Sequence, residues 1–232
     1  MKAVRLILFD LDGTLVRSAG AGRRAIAKAW AAVFGRAVDL DGRWTAGRTD
    51  PAIFRELGRR CGLESELEAR WPELERRYLS ALEEEVARHP GELLPGVVEI
   101  LEWAERRGWA LGLGTGNLRA GARLKLAPFG LSRFFPVGGF GEDGEDRAEL
   151  LKVAARRASL RFGRPADPVV VVGDTPLDVE AAHRAGFLAV AVATGPYGAD
   201  DLRQSGAEGV LQSFDPWKRA ARLLDSVCSP SR

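Results

Sequence analysis

Residues Val4–Phe9 form a run rich in branched and aromatic apolar side chains, broken only by Arg5, that stops at Asp10-Leu-Asp-Gly-Thr14. A run that is apolar on both alternating faces belongs inside a sheet covered on each side, so it reads as a buried parallel strand delivering Asp10 to its C-terminal tip. The pattern returns at residues 109–114, which close on Thr115-Gly-Asn117, and at 169–172, which close on Gly173-Asp174. A further strand is expected at 187–193, and weaker ones at 137–140 and 209–212. Helices are expected at 97–107, 118–127, 146–160, 176–185 and from Asp215 onward. This alternation predicts a doubly wound parallel sheet, a Rossmann-like α/β core with helices on both faces.

The stretch between Asp12 and Pro95 carries no strand signal. Ser18 can cap a helix running to Phe34, Asp50-Pro51 can open a second to Arg60, and a third runs from Ser65 to Arg88 with Pro72 restarting it. Residues 1–15 and 95–232 are therefore expected to form the core domain, and 16–94 a small all-helical one.

At 232 residues, 46% hydrophobic and 28% charged, the chain can bury such a core. Its 34 basic and 32 acidic residues are interspersed and leave a formal charge of +2, which argues against nucleic acid as a partner. Cys61 and Cys228 have neither metal-knuckle nor redox-pair spacing. The N-terminal apolar run is too short for a signal peptide, and no later run is long enough to span a bilayer. The expectation is a cytoplasmic protein, monomer or homodimer, with no membrane partner.

In open parallel sheets ligands bind beyond the carboxyl ends of the strands. The three strand tips supply groups that complement one another for phosphoryl transfer, which needs a nucleophile, a cation, donors for phosphate oxygens and a proton source. Asp10 can attack phosphorus as a carboxylate, and Asp12 can protonate the leaving alkoxide and later activate water. Two carboxylates so close repel unless a divalent cation offsets them, and Asp174 supplies a further oxygen ligand for Mg2+. Gly13 permits a tight turn, Thr14 and Thr115 offer hydroxyls, and Gly116 and Asn117 present amides at a helix N-terminus.

Together, Asp10-Leu-Asp-Gly-Thr14, Thr115-Gly-Asn117 and Gly173-Asp-Thr-Pro-Leu-Asp178 resemble the successive signature motifs of the haloacid dehalogenase superfamily, with the nearest likeness to its phosphoglycolate-phosphatase-like branch. The resemblance implies a magnesium-dependent phosphatase acting on a small phosphorylated metabolite. In it Asp10 is the nucleophile, Asp12 the acid and base, and Thr115 a phosphate binder. Asp10, Asp12 and Asp174 surround the metal, with Asp178 in its outer shell and the helical segment serving as a cap.

The family usually carries a lysine before the last motif. Here that region reads Glu145-Asp-Arg-Ala-Glu-Leu-Leu-Lys152, so Arg147 is expected to take the role, with Lys152 and then Lys125 as alternatives. Arg147 could instead pair with Asp146, Glu142 or Glu149 on the surface. In the cap, the loop Arg43-Trp-Thr-Ala-Gly-Arg48-Thr-Asp50 is expected to contact substrate through Arg48, unless Thr49 or Asp50 simply caps the next helix. Trp30, Trp71 and Trp103 fall at helical spacing among apolar residues and read as core. A sugar phosphomutase would share the same groups. A non-catalytic metal-binding module would be marked by a broken nucleophile or acid position, and neither is broken.

Overall fold

The computed structural model describes residues 3–228; the sequence suggests a frayed tail from Ser226 to Arg232, but Ser226 and Val227 belong to the last helix, and residues 229–232 lie outside those described. Along the chain the elements are β1 (Val4–Phe9), β2 (Val16–Arg17), α1 (Ala21–Phe34), α2 (Gly42–Thr45), α3 (Asp50–Cys61), α4 (Glu64–Arg88), β3 (Glu92–Leu93), α5 (Val97–Arg106) and β4 (Ala110–Gly114). There follow α6 (Arg119–Leu126), β5 (Val137–Gly139), α7 (Arg147–Phe162), β6 (Ala166–Gly173), α8 (Pro176–Ala185), β7 (Leu188–Val192), α9 (Ala199–Gln204), β8 (Gly209–Leu211) and α10 (Trp217–Val227).

Six strands form one parallel sheet in the order β5-β4-β1-β6-β7-β8. Strand β1 is central: Phe9 lies opposite Leu113 of β4 on one side and Val172 of β6 on the other. Its continuous apolar run has the reason the sequence suggested, since both faces are covered. Ile7 and Phe9 pack with Val170, Val172, Ile100, Leu101 and Leu224, whereas Leu6 and Leu8 pack with Val169, Val171, Leu150, Leu151 and Ala154. Because β4, β1 and β6 are neighbours in register, their tips place Thr115, Asp10 and Asp174 side by side.

The segment between β1 and β4 departs from expectation in three ways. It holds two very short strands, β2 and β3, which pair antiparallel with Val16 opposite Leu93 and Arg17 opposite Glu92, tying its entry to its exit. Ser18 does not cap α1. The chain passes through left-handed conformations at Ala19 and Gly20, which is the capping residue, while the Ser18 hydroxyl turns to Asp12. Pro72 does not restart α4, which continues through it. One missing ladder bond is outweighed by the buried face formed by Leu67, Leu74, Tyr78 and Leu82. These helices share their own core around Trp30, Phe54 and Tyr78. Trp71 packs edge-on against Phe54 and Trp103 against Trp109, in keeping with core roles. Helix α9, between β7 and β8, had no counterpart in the sequence reading. Among the described residues no helix is long and apolar enough to cross a membrane.

Candidate active site

The three central strand tips open into a cavity of about 530 Å³, roofed by α1 and by the loop leading into α3. Asp10 forms its floor, buried, with its backbone N–H donating to Val172 O (2.8 Å). Two flanking networks divide the polar groups around it.

On one side lie acids and one cation. Carboxylate oxygens of Asp10, Asp174 and Asp178 all fall within 4.8 Å of one another. Arg147, buried at the start of α7, donates to Asp178 and lies 3.5 Å from Asp10 Oδ1. Its Nε is buried without a partner. Asp178 is further tied by the Thr175 N–H (3.0 Å) and hydroxyl (2.7 Å), in a reciprocal cap of α8. Burial, reinforced by the Asp178 charge and only partly offset by Arg147, pushes the Asp10 carboxyl up from 3.8 to about 7. Burial and the same neighbouring acids hold Asp174 well above the usual carboxylate range. Burial alone would lower the Arg147 pKa, but Asp178, Asp10 and Asp174 together raise it.

Three buried acids against one guanidinium are under-compensated, and the donor set is oxygen only. It fits a hard divalent cation. The backbone is shaped around Asp174 for the same end. Gly13, at φ +84°, and Gly195 each approach its carboxyl so closely that a Cβ at either position would strike it. The Thr194 hydroxyl fixes this wall by donating to Gly13 O (2.5 Å). Asp178 already serves Thr175 and Arg147, so Asp10 and Asp174 are the carboxylates with capacity left for a metal.

On the other side the Asp12 carboxyl, which is not one of the three clustered carboxylates, is held by a separate set of donors. Its Oδ2 accepts from Lys125 Nζ (2.5 Å) and Asn117 Nδ2 (3.0 Å), and its Oδ1 from the Ser18 hydroxyl (2.5 Å). Burial would raise its pKa, but the Lys125 charge and these hydrogen bonds outweigh it and hold the group below the usual range. Thr115 is buried, its Oγ accepting from Asn117 Nδ2 (2.9 Å), and the Thr14 hydroxyl lies 3.4 Å from Asp174 Oδ1. Gly116 touches Arg48 O and the Thr49 backbone so closely that no side chain would fit between them.

Of the basic candidates, Arg147 is in the site and not on the surface. Lys152 is exposed and pairs with Glu149 (2.9 Å). Lys125, ranked last in sequence, is in the cavity wall, and the signal was available: it lies seven residues beyond Leu118, two turns along one helix face. Arg48 lines the cavity, but it is exposed, and its Nε donates to Trp44 O (3.0 Å). Thr49 does cap α3. Asp50 was overlooked as a buried group. Its backbone N–H donates to Gly116 O (2.8 Å) and its carboxylate accepts from the Leu118 N–H and the Tyr78 hydroxyl (2.9 Å each), joining α3 and α4 to the start of α6.

Comparisons with known proteins agree with this geometry. The chain is 28% identical over 228 residues to the probable phosphatase IndB of Dickeya dadantii (strain 3937), covering 97% of this chain and 96% of that one. It is 34% identical over 192 residues to a phosphoglycolate phosphatase of Synechococcus elongatus, covering 83% and 85%. The crystal structure of a hydrolase from Pseudomonas syringae superposes with a TM-score of 0.71 over 97% of this chain and 100% of that one, at 24% identity, a likeness of fold. The sequence model of the haloacid dehalogenase-like hydrolases matches residues 4–186. With the match spanning most of the sheet and all three polar strand tips, the chain belongs to the haloacid dehalogenase-like hydrolases.

Proposed function

We propose that the protein is a magnesium-dependent phosphatase of small phosphate monoesters, working through an aspartyl-phosphate on Asp10. The observation that carries this reading is the position of Asp10: buried on the cavity floor, with an acid cluster and Arg147 on one side and Asp12 on the other. The phosphatase names of the relatives in Dickeya and Synechococcus point the same way. Residues 16–94 act as the cap, joined to the core at β2 and β3.

In the first half-reaction an Asp10 carboxylate oxygen attacks phosphorus, the bond from phosphorus to the ester oxygen breaks, and Asp12 gives that oxygen its proton. In the second half, water attacks phosphorus, Asp12 takes a proton from it, and the bond to Asp10 breaks, releasing inorganic phosphate. The lowered pKa of Asp12 favours the second half. Arg147 lines the cavity beside Asp10, where its guanidinium can donate to a phosphate oxygen. Thr115, Gly116 and Asn117 line the space for the other oxygens, whereas Thr14 is buried with its hydroxyl toward Asp174. Mg2+, held by Asp10 and Asp174, would supply charge neutralisation of nucleophile and phosphate.

Assay against a panel of phosphate monoesters is expected to show turnover that EDTA stops and Mg2+ restores. Full activity in metal-free buffer, or none on any monoester, would sink the reading.

The acid cluster also predicts a stability signature independent of turnover. Asp10 titrates near 3.8 when unfolded and at about 7 when folded, so the folded state holds the extra proton between those values. Its contribution to stability is full below pH 4 and is lost as pH rises through 7. Without metal, Asp10→Asn should therefore melt higher than the wild type at pH 8, with the gap closing by pH 5. Added Mg2+ should raise the wild-type Tm more at pH 8 than at pH 5. A gap independent of pH would show that the Asp10 charge is not the source.

A further inference from the structure

We propose that Lys125 is the positioning residue of Asp12, a role separate from the cation at the phosphate, which Arg147 fills. The inference rests on the reading of Asp12 as the proton donor and acceptor. Lys125 lies near the end of α6, only 5% exposed, and it makes no ion pair with Asp10 or Asp174 among the described residues. Its ammonium instead bridges Asp12 Oδ2 (2.5 Å) and Asn117 Oδ1 (2.6 Å).

Asn117 closes the ring. Its amide nitrogen donates to the same Asp12 oxygen (3.0 Å) and to Thr115 Oγ (2.9 Å), so Lys125 on Oδ1 and Thr115 on Nδ2 leave the amide one orientation. The three side chains form a closed triangle, and Ser18 holds the remaining Asp12 oxygen. A carboxyl gripped at both oxygens is held from rotating toward the acid cluster. The roof contributes as well: Gly22 of α1 lies over the ammonium, and a Cβ there would come within 3.2 Å of Nζ. The two cations thus divide the site, Arg147 serving the nucleophile and Lys125 the proton carrier.

A residue acting on Asp12 is distinguished from one acting on the phosphate by the leaving group. An aryl ester such as p-nitrophenyl phosphate leaves without a proton, whereas a simple alkyl phosphate needs one. Asp12→Asn should lose about 10²- to 10⁴-fold in kcat on the alkyl ester and much less on the aryl ester. Lys125→Met should shift the alkyl-to-aryl ratio in the same direction by roughly tenfold or more, with Lys125→Arg restoring part of it. Combining Asp12→Asn with Lys125→Met should leave the ratio no worse than Asp12→Asn alone. Melting curves check folding, and Lys125→Gln, which keeps a donor for Asn117, takes the test if the methionine variant does not fold. Equal losses on both esters in the Lys125 variants would overturn the proposal and leave the phosphatase reading standing. Equal losses in Asp12→Asn would remove Asp12 as proton carrier, and this proposal with it.

Discussion

Asp10→Asn is expected to abolish turnover, by on the order of 10⁴-fold or more, the scale on which losing a catalytic nucleophile is felt. Asparagine fills the same space at the tip of β1, and the backbone N–H bond to Val172 O does not involve the side chain. The fold should therefore survive, and the variant should be no less stable than the wild type at neutral pH, because one of three clustered acids has lost its charge. The amide can neither attack phosphorus nor carry a phosphoryl group. Quenching the wild type during turnover should reveal a phosphate adduct on the peptide containing Asp10, absent from the variant. Near wild-type turnover by Asp10→Asn, or an adduct on another residue, would end the covalent mechanism.

Much of this site was legible because strand tips are legible. Five apolar residues of Val4–Phe9 closing on Asp10, four valines closing on Gly173-Asp174, and 109–114 closing on Thr115 each announce both a buried strand and its exit, and the parallel topology converts three sequence-distant tips into neighbours. What escaped notice depends on contacts that no local pattern encodes. β2 and β3 are two residues each, too short for alternation to show, and their pairing joins positions far apart in the chain. Ser18 looked like a helix cap because the spacing allows it, yet a left-handed turn at Ala19 and Gly20 frees its hydroxyl for Asp12. Asp12 lies two residues from the nucleophile, and sequence separation gave no sign that its carboxyl pairs with Lys125. Asp50 reads locally as the first residue of a helix; only the packing of α3 against the start of α6 shows that its charge is buried.

Arg147→Ala is expected to cost about 2 to 4 kcal/mol of transition-state stabilisation, the range for losing one preorganised donor at a developing charge. The guanidinium is buried, lines the cavity, and is anchored on Asp178 and 3.5 Å from Asp10. The loss should fall on kcat/KM, and Arg147→Lys should recover part of it, since a lysine restores the charge without the fork geometry. The same substitution strips the acid cluster of the guanidinium that offsets it. It should therefore destabilise the metal-free protein more at pH 8, above the raised Asp10 value of about 7, than at pH 5, where Asp10 holds its proton. A role confined to capping or packing α7 would give a pH-independent loss that lysine does not rescue. A structure with a bound phosphate analogue showing Lys125 or Lys152 on the phosphate oxygens, and Arg147 withdrawn, would transfer the role to that lysine while leaving Asp10 as nucleophile.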